Sequence, residues 1–167
     1  MEAQDRMLDR QAMADQCVRW REAGHTVVFT NGVFDLLHRG HVTYLEAAAR
    51  LGDVLVVGVN DDVSVRRLGK GDDRPIVAEA DRAFVVAGLR AVAGVVLFGE
   101  DTPLDLIQSL QPDVLVKGGD YDADCTDAED PRYIVGSADV KAAGGRVVTI
   151  DLVPGRSTTA IAAKLKG

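Results

Sequence analysis

Five short runs of continuous apolar residues, separated by stretches with helical spacing, constrain this chain more than any other feature. They are 25–30 (HTVVFT), 53–59 (DVLVVGV), 94–98 (GVVLF), 113–117 (DVLVK) and 146–150 (RVVTI). Each is rich in Val or Ile and shows no apolar/polar alternation, the pattern of strands covered on both faces in a parallel sheet. Between them, helical spacing predicts helices over 43–51, 61–68, 79–89, 103–110 and 137–143. A first helix is predicted over 4–23 and a last over 158–166. Strand–helix alternation on this scale predicts an α/β fold, an open parallel sheet of about five strands with helices on both faces. No linker-like or repeated segment interrupts it, so the 167 residues read as one domain, with residues 1–24 preceding the core.

Charge and composition narrow the function. The formal net charge is -7, from 26 acidic and 19 basic residues. That balance argues against a nucleic-acid partner, which calls for a basic face, but small anions need only a few placed cations and helix ends. The apolar runs are too short to cross a bilayer, and the N-terminal stretch has neither the basic start nor the apolar run of a signal peptide. Both readings predict a cytoplasmic protein without membrane contact. Cys17 and Cys125 lie far apart and match no metal spacing, which predicts two reduced, incidental thiols.

The least regular segments, 69–76 and 118–133, follow strand–helix units, where open α/β sheets bind ligands. The segment 30–41 (TNGVFDLLHRGH) runs from the first strand into a helix. His38 and His41 stand three apart and can lean to one side of a helix start. Gly40 between them allows close backbone approach, and the helix N-terminus adds free N–H groups and partial positive charge. The combination suits a polyphosphate. Two histidines that only cap the helix are the bland alternative, and the strand-to-helix context disfavours it. Lys117 ends a strand beside two glycines, where it can meet a phosphate or serve as an ordinary surface lysine. Ser157, Thr158 and Thr159 open the last helix, where hydroxyls are equally common as plain caps.

GVFDLLHRGH resembles the phosphate-binding signature of the His-x-x-His nucleotidyltransferase superfamily, which includes cytidylyltransferases and adenylyltransferases. VLVKGGDY (114–121) and GRSTTAI (155–161) resemble two further signatures in the expected order, so the likeness runs from about residue 26 to 165. It implies a Rossmann-like sheet and transfer of a nucleotide monophosphate from a nucleoside triphosphate to a phosphorylated sugar or polyol. Among its branches, the chain is most similar to adenylyltransferases that activate a heptose 1-phosphate for lipopolysaccharide synthesis, in a stand-alone form without the sugar kinase often fused ahead of it. The implied catalytic residues are His38, His41 and Lys117. Thr30, Asn31, Gly32, Phe34, Gly40, Arg156, Ser157, Thr158 and Thr159 are implied around the nucleotide. Asp35, Asn60, Arg66, Arg67 and Lys70 are implied around the acceptor, with Asp61, Asp62, Arg74 and Arg82 as weaker candidates.

The partners implied are ATP and a sugar 1-phosphate, with Mg²⁺ carried mainly by the ATP phosphates and no protein metal ligands assigned. Relatives often associate, which allows a homo-oligomer. Cytidylyltransferases of glycerol phosphate carry a lysine two residues after the second motif histidine; Thr43 stands there, which counts against that reading. A non-catalytic nucleotide sensor is the alternative from another class, and the intact motif residues count against it. Asp120, Asp122 and Asp124 imitate a calcium loop, but Cys125 and Pro131 occupy its Gly and Glu positions. No P-loop or G-x-G-x-x-G pattern occurs.

Overall fold

The structure, a computed structural model, describes residues 2–69, 71, 73–155 and 157–166. Five parallel strands form one sheet: β1 (Val27–Gly32), β2 (Val54–Asn60), β3 (Gly94–Phe98), β4 (Val114–Gly118) and β5 (Arg146–Ile150). Their spatial order is β3-β2-β1-β4-β5, so the chain winds outward from β1 in one direction and then in the other. The helices are α1 (Arg10–Glu22), α2 (Arg39–Ala49), α3 (Asp62–Arg67), α4 (Glu79–Ala87), α5 (Leu104–Leu110), α6 (Ser137–Ala142) and α7 (Thr158–Lys166).

Successive strand residues face opposite layers, and both layers are apolar, which is why the runs do not alternate. Val28, Leu55, Val57 and Val116 pack with Leu45 and Ala48 of α2 and Val86 of α4. Val27, Phe29, Val56 and Leu115 pack with Met13 and Cys17 of α1 and Leu106 and Leu110 of α5. The architecture is a three-layer α/β/α sandwich of Rossmann type, as the sequence predicts. At Gly94 a Cβ would lie 2.6 Å from Met13 Cε, so a glycine is what lets α1 close on β3.

Three boundaries depart from the sequence reading. The first helix is not continuous over 4–23: a 3₁₀ turn (Gln4–Arg6) is followed by extended residues, and α1 starts at Arg10. Met7 bridges Val95 and the Leu8 N–H donates to the Val95 carbonyl at 3.0 Å, while Asp9 caps the new helix through Ala12 N–H at 2.8 Å. Pairing with the edge of β3 therefore competes with helix propensity and prevails. Val18, expected on the apolar face, is 45% exposed. The first strand starts at Val27 rather than His25 and runs on through Asn31 and Gly32, whose partners are Gly58 and Val59 of β2. The second helix starts four residues before Thr43, because His38 caps it: its Nδ1 accepts the Gly40 N–H at 3.0 Å.

Candidate active site

At the carboxyl ends of the strands lies a cleft of about 870 Å³, centred where the winding reverses between β1 and β4. In open α/β sheets that is where ligands enter, because loops leaving neighbouring strands there diverge to opposite faces. Asn31 and Gly32 close β1, Phe34 and Asp35 follow in the loop, and His38, Gly40 and His41 stand at the start of α2. Lys117 and Gly118 come from the end of β4, Asn60 from β2, and Ser157, Thr158 and Thr159 from the start of α7. Segments more than 120 residues apart in the chain thus meet at one opening; the Thr158 hydroxyl donates to the Leu36 carbonyl at 3.3 Å, tying the start of α7 to the β1–α2 loop.

The histidine pair is held tightly. The two rings stack with centroids 4.0 Å apart, and Phe34 tilts against His41 at 5.4 Å. Phe34 adopts the left-handed conformation (φ 50°), and its ring lies 3.1 Å from where a Cβ of residue 32 would be, so Gly32 leaves room for it. Because His38 Nδ1 accepts the Gly40 N–H, a neutral His38 carries its proton on Nε2. His41 Nδ1 is buried with no hydrogen-bond partner among the described residues. Burial, and then the neighbouring His38, push the His41 imidazole down to about 4, so the ligand-free ring is neutral at pH 7. The ring borders the cleft, so an anion bound there would favour its charged form.

In the same cleft, Lys117 Nζ donates to Asn31 Oδ1 at 2.6 Å and faces the Tyr121 ring, 5.6 Å to its centroid. Burial lowers its ammonium to about 8.

Other predicted site residues have different tasks. Thr30 is fully buried below the cleft; its hydroxyl pairs with Tyr44 Oη at 2.7 Å and donates to the Val116 carbonyl at 3.0 Å. It joins β1, α2 and β4 under the site and does not line it. Asp35 does line the cleft, yet both its oxygens are engaged, by Arg74 Nη1 at 2.8 Å and by the Ile76 and Val77 N–H groups at 2.9 Å each. Burial raises its carboxyl, but those two backbone bonds and Arg74 outweigh it and hold the group below its usual range. Asp35 is therefore the anchor of the 74–77 segment rather than a vacant acceptor. Asn60 borders the cleft and donates to Ser64 Oγ at 3.2 Å.

The expected basic loop contributes less than the sequence suggests. Neither Arg66 nor Arg67 lines the cleft: Arg66 is exposed, and Arg67 bonds Asp101 at 2.6 Å and the Gly99 carbonyl. Both lie on the last turn of α3, where cations complement the helix end. Arg82 is fully buried, donating to Val77 and Val33 carbonyls and to Asp62 at 2.6–2.8 Å, a lock between loops. Asp61 caps α3 through Ser64 N–H at 2.6 Å. Arg74 is the described residue from this group that borders the opening. Lys70 and Arg156, both named as site candidates, lie outside the described residues. Sequence reasoning passed over Tyr44, Thr102, Tyr121 and Tyr133, which also border the cleft. The two loop tyrosines sit within or at the end of segments already marked as irregular, which was the available signal.

No group of three or more His, Cys, Asp or Glu side chains among the described residues is placed to hold a metal ion. No described helix is long and apolar enough to cross a membrane.

The family model for cytidylyltransferase-like proteins matches residues 29–164, which includes the histidine pair, Lys117 and the start of α7. The chain belongs to the cytidylyltransferase-like family. It is a nucleotidyltransferase by fold and family. Its relatives include the bifunctional protein HldE of Methylobacillus flagellatus, 51% identical over 161 residues that make up 96% of this chain and 31% of that one. HldE of Syntrophotalea carbinolica is 54% identical over 152 residues, 91% of this chain and 29% of that protein. The chain thus spans about 30% of the length of these relatives. The crystal structure of a lipopolysaccharide core biosynthesis protein from Thermoplasma volcanium shares the fold, with a TM-score of 0.59 and 29% identity over 78% of this chain and 98% of that one.

Proposed function

We propose that this cytidylyltransferase-like chain transfers AMP from ATP to D-glycero-β-D-manno-heptose 1-phosphate, giving ADP-heptose and pyrophosphate for lipopolysaccharide core synthesis. The observation that carries the reaction type is the stacked His38–His41 pair at the N-terminus of α2, lining one cleft with Lys117 of β4. The choice of acceptor is supported by the sequence likeness to heptose 1-phosphate adenylyltransferases and by the similarity to a solved lipopolysaccharide core biosynthesis protein.

In this reading an oxygen of the sugar phosphate attacks the α-phosphorus of ATP in line. The new P–O bond forms as the bond to the β-phosphate oxygen breaks, and the electron pair leaves with pyrophosphate. No side chain bonds to phosphorus. His38 Nε2–H donates to the triphosphate oxygens, the positive N-terminal end of α2 points its dipole at them, and the His41 ring borders the same cleft. Lys117 supplies a compact positive charge at the α-phosphate, and the hydroxyls of Ser157 and Thr159 hold the outer phosphates, while the Thr158 hydroxyl donates to the Leu36 carbonyl. Arg74, fixed by Asp35, is the described cation nearest in kind to an acceptor-phosphate ligand. Mg²⁺, carried on the triphosphate oxygens, would neutralise phosphate charge there.

The test is pyrophosphate release by the purified protein with Mg²⁺, crossing ATP and CTP with heptose 1-phosphate and glycerol 3-phosphate. Release with ATP and the heptose alone is expected. Release with CTP and glycerol phosphate would keep the chemistry and overturn the substrates. Bound ATP without release in any arm would point to a nucleotide sensor.

A further inference from the structure

Asn31 and Lys117 lie on adjacent strands at the point where the winding reverses, near the ends of β1 and β4. Both backbones are fixed by strand ladders, Asn31 opposite Gly58 and Lys117 opposite Thr149. A lysine side chain is long and samples many rotamers, so a strand end alone does not place its ammonium. Here the Asn31 amide oxygen, 2.6 Å from Nζ, does so from one side, with the Tyr121 ring 5.6 Å away. The tether is neutral. A carboxylate in that place would form an ion pair and compete with any phosphate for the same charge, whereas an amide oxygen leaves the charge uncompensated.

We propose that Asn31 is a positioning residue that acts through Lys117, its amide oxygen holding the ammonium at the mouth of the β1–β4 crevice with its charge free for a phosphoryl oxygen. This differs from a direct nucleotide contact by Asn31, and it rests on the adenylyl-transfer reading only for its catalytic consequence. The described titratable groups that line the cleft with the ammonium are His38 and His41 at the start of α2, Tyr44 on α2, Tyr121 and Tyr133 after β4, Asp101 after β3, and the Asp35–Arg74 pair. His41 changes charge near pH 4 and Tyr44 near 12, away from the Lys117 midpoint, which burial lowers to about 8.

Two measurements test it. In a double-mutant cycle, Asn31→Ala should lower kcat by roughly 10- to 100-fold with the KM for ATP little changed, since misplacing a catalytic group by an ångström has that scale of effect. In a Lys117→Met background the same substitution should cost less than about twofold, because the two act as one unit. An equal loss in both backgrounds would overturn the proposal in favour of direct substrate contact. The second measurement needs no substrate: titration of the folded protein labelled with ¹³C at lysine Cε, the Lys117 signal identified by its loss in Lys117→Arg. Asn31→Asp should raise the midpoint and Asn31→Ala should lower it below that of the wild type. A midpoint unmoved in both variants would sink the proposal, whatever the turnover assay shows. If no substrate pair turns over but the midpoint moves as stated, the tether stands and the assigned substrates fall.

Discussion

At the scale of single residues, the site is built from side chains whose ordinary partners are withheld. His41 has a buried nitrogen without a hydrogen-bond partner among the described residues, and Lys117 has an amide where an acid would neutralise it. Such groups cost the free protein stability and bind anions well, the usual trade at a preorganised electrostatic site. His41→Ala is expected to lower kcat by about a hundredfold or more, the effect of removing one well-placed donor, measured as pyrophosphate release at saturating substrate. The same residue sets a pH dependence. Its imidazole titrates near 4 in the folded chain and near 6.5 when unfolded, so below 6.5 the unfolded state takes up a proton that the folded state refuses. Stability should therefore fall as the pH drops from about 6.5 to about 4 and level off below. Urea melts at pH 7, 5.5 and 4 should show a flatter profile over that window for His41→Asn than for the wild type.

At the scale of elements, the loops around the cleft are held by charged side chains on backbone groups. Asp35 receives the Ile76 and Val77 amides, and Arg82 bonds the Val33 and Val77 carbonyls, so the β1–α2 loop and the loop before α4 form one unit. The N-terminal segment is treated likewise: Arg6 donates to the Ala87, Leu89 and Val92 carbonyls, and Arg21 to those of Leu110 and Gln111. Those bonds cap the ends of α4 and α5. The segment before the sheet is therefore part of the fold rather than an appendage. Met13→Ala should cost roughly 2–5 kcal/mol, because Met13 is fully buried between α1 and β3. Val18→Ala, on the exposed side of the same helix, should change stability by less than about 0.5 kcal/mol. Equal effects of the two in denaturant melts would contradict the packing of α1.

For the whole molecule, the decisive property is that an acidic chain concentrates cationic and N–H donor groups at one edge of its sheet. His38, His41, Lys117, Arg74 and two helix starts meet there, although the net charge is -7. Ligand binding at that edge should stabilise the entire fold, since the cleft draws on β1, β2, β4, α2 and α7. ATP with Mg²⁺ at about a hundred times its Kd should add roughly 2.7 kcal/mol, read as a rise in Tm, and duplex DNA should add nothing. A Lys117→Ala variant retaining the full ATP-dependent rise would argue that the triphosphate lies elsewhere.

Much of this was legible in the chain. The continuous Val-rich runs required a sheet covered on both faces, and the strands at 94–98 and 146–150 fall where the sequence places them, because burial on both sides is written into local composition. His-x-Gly-His at a strand-to-helix turn likewise marked the anion site, since its residues are close in sequence as well as in space. Contacts between distant segments were another matter. That Thr30 lies under the cleft, that Asp35 faces inward to Arg74, that Arg67 turns to Asp101 and that Arg82 is buried follow from which loops the winding brings together. The split of the first helix follows from an open strand edge more than eighty residues away. Local pattern determines which elements form and which short motif holds charge. Only the packed fold decides which polar groups already have a partner, and so which remain to meet a substrate.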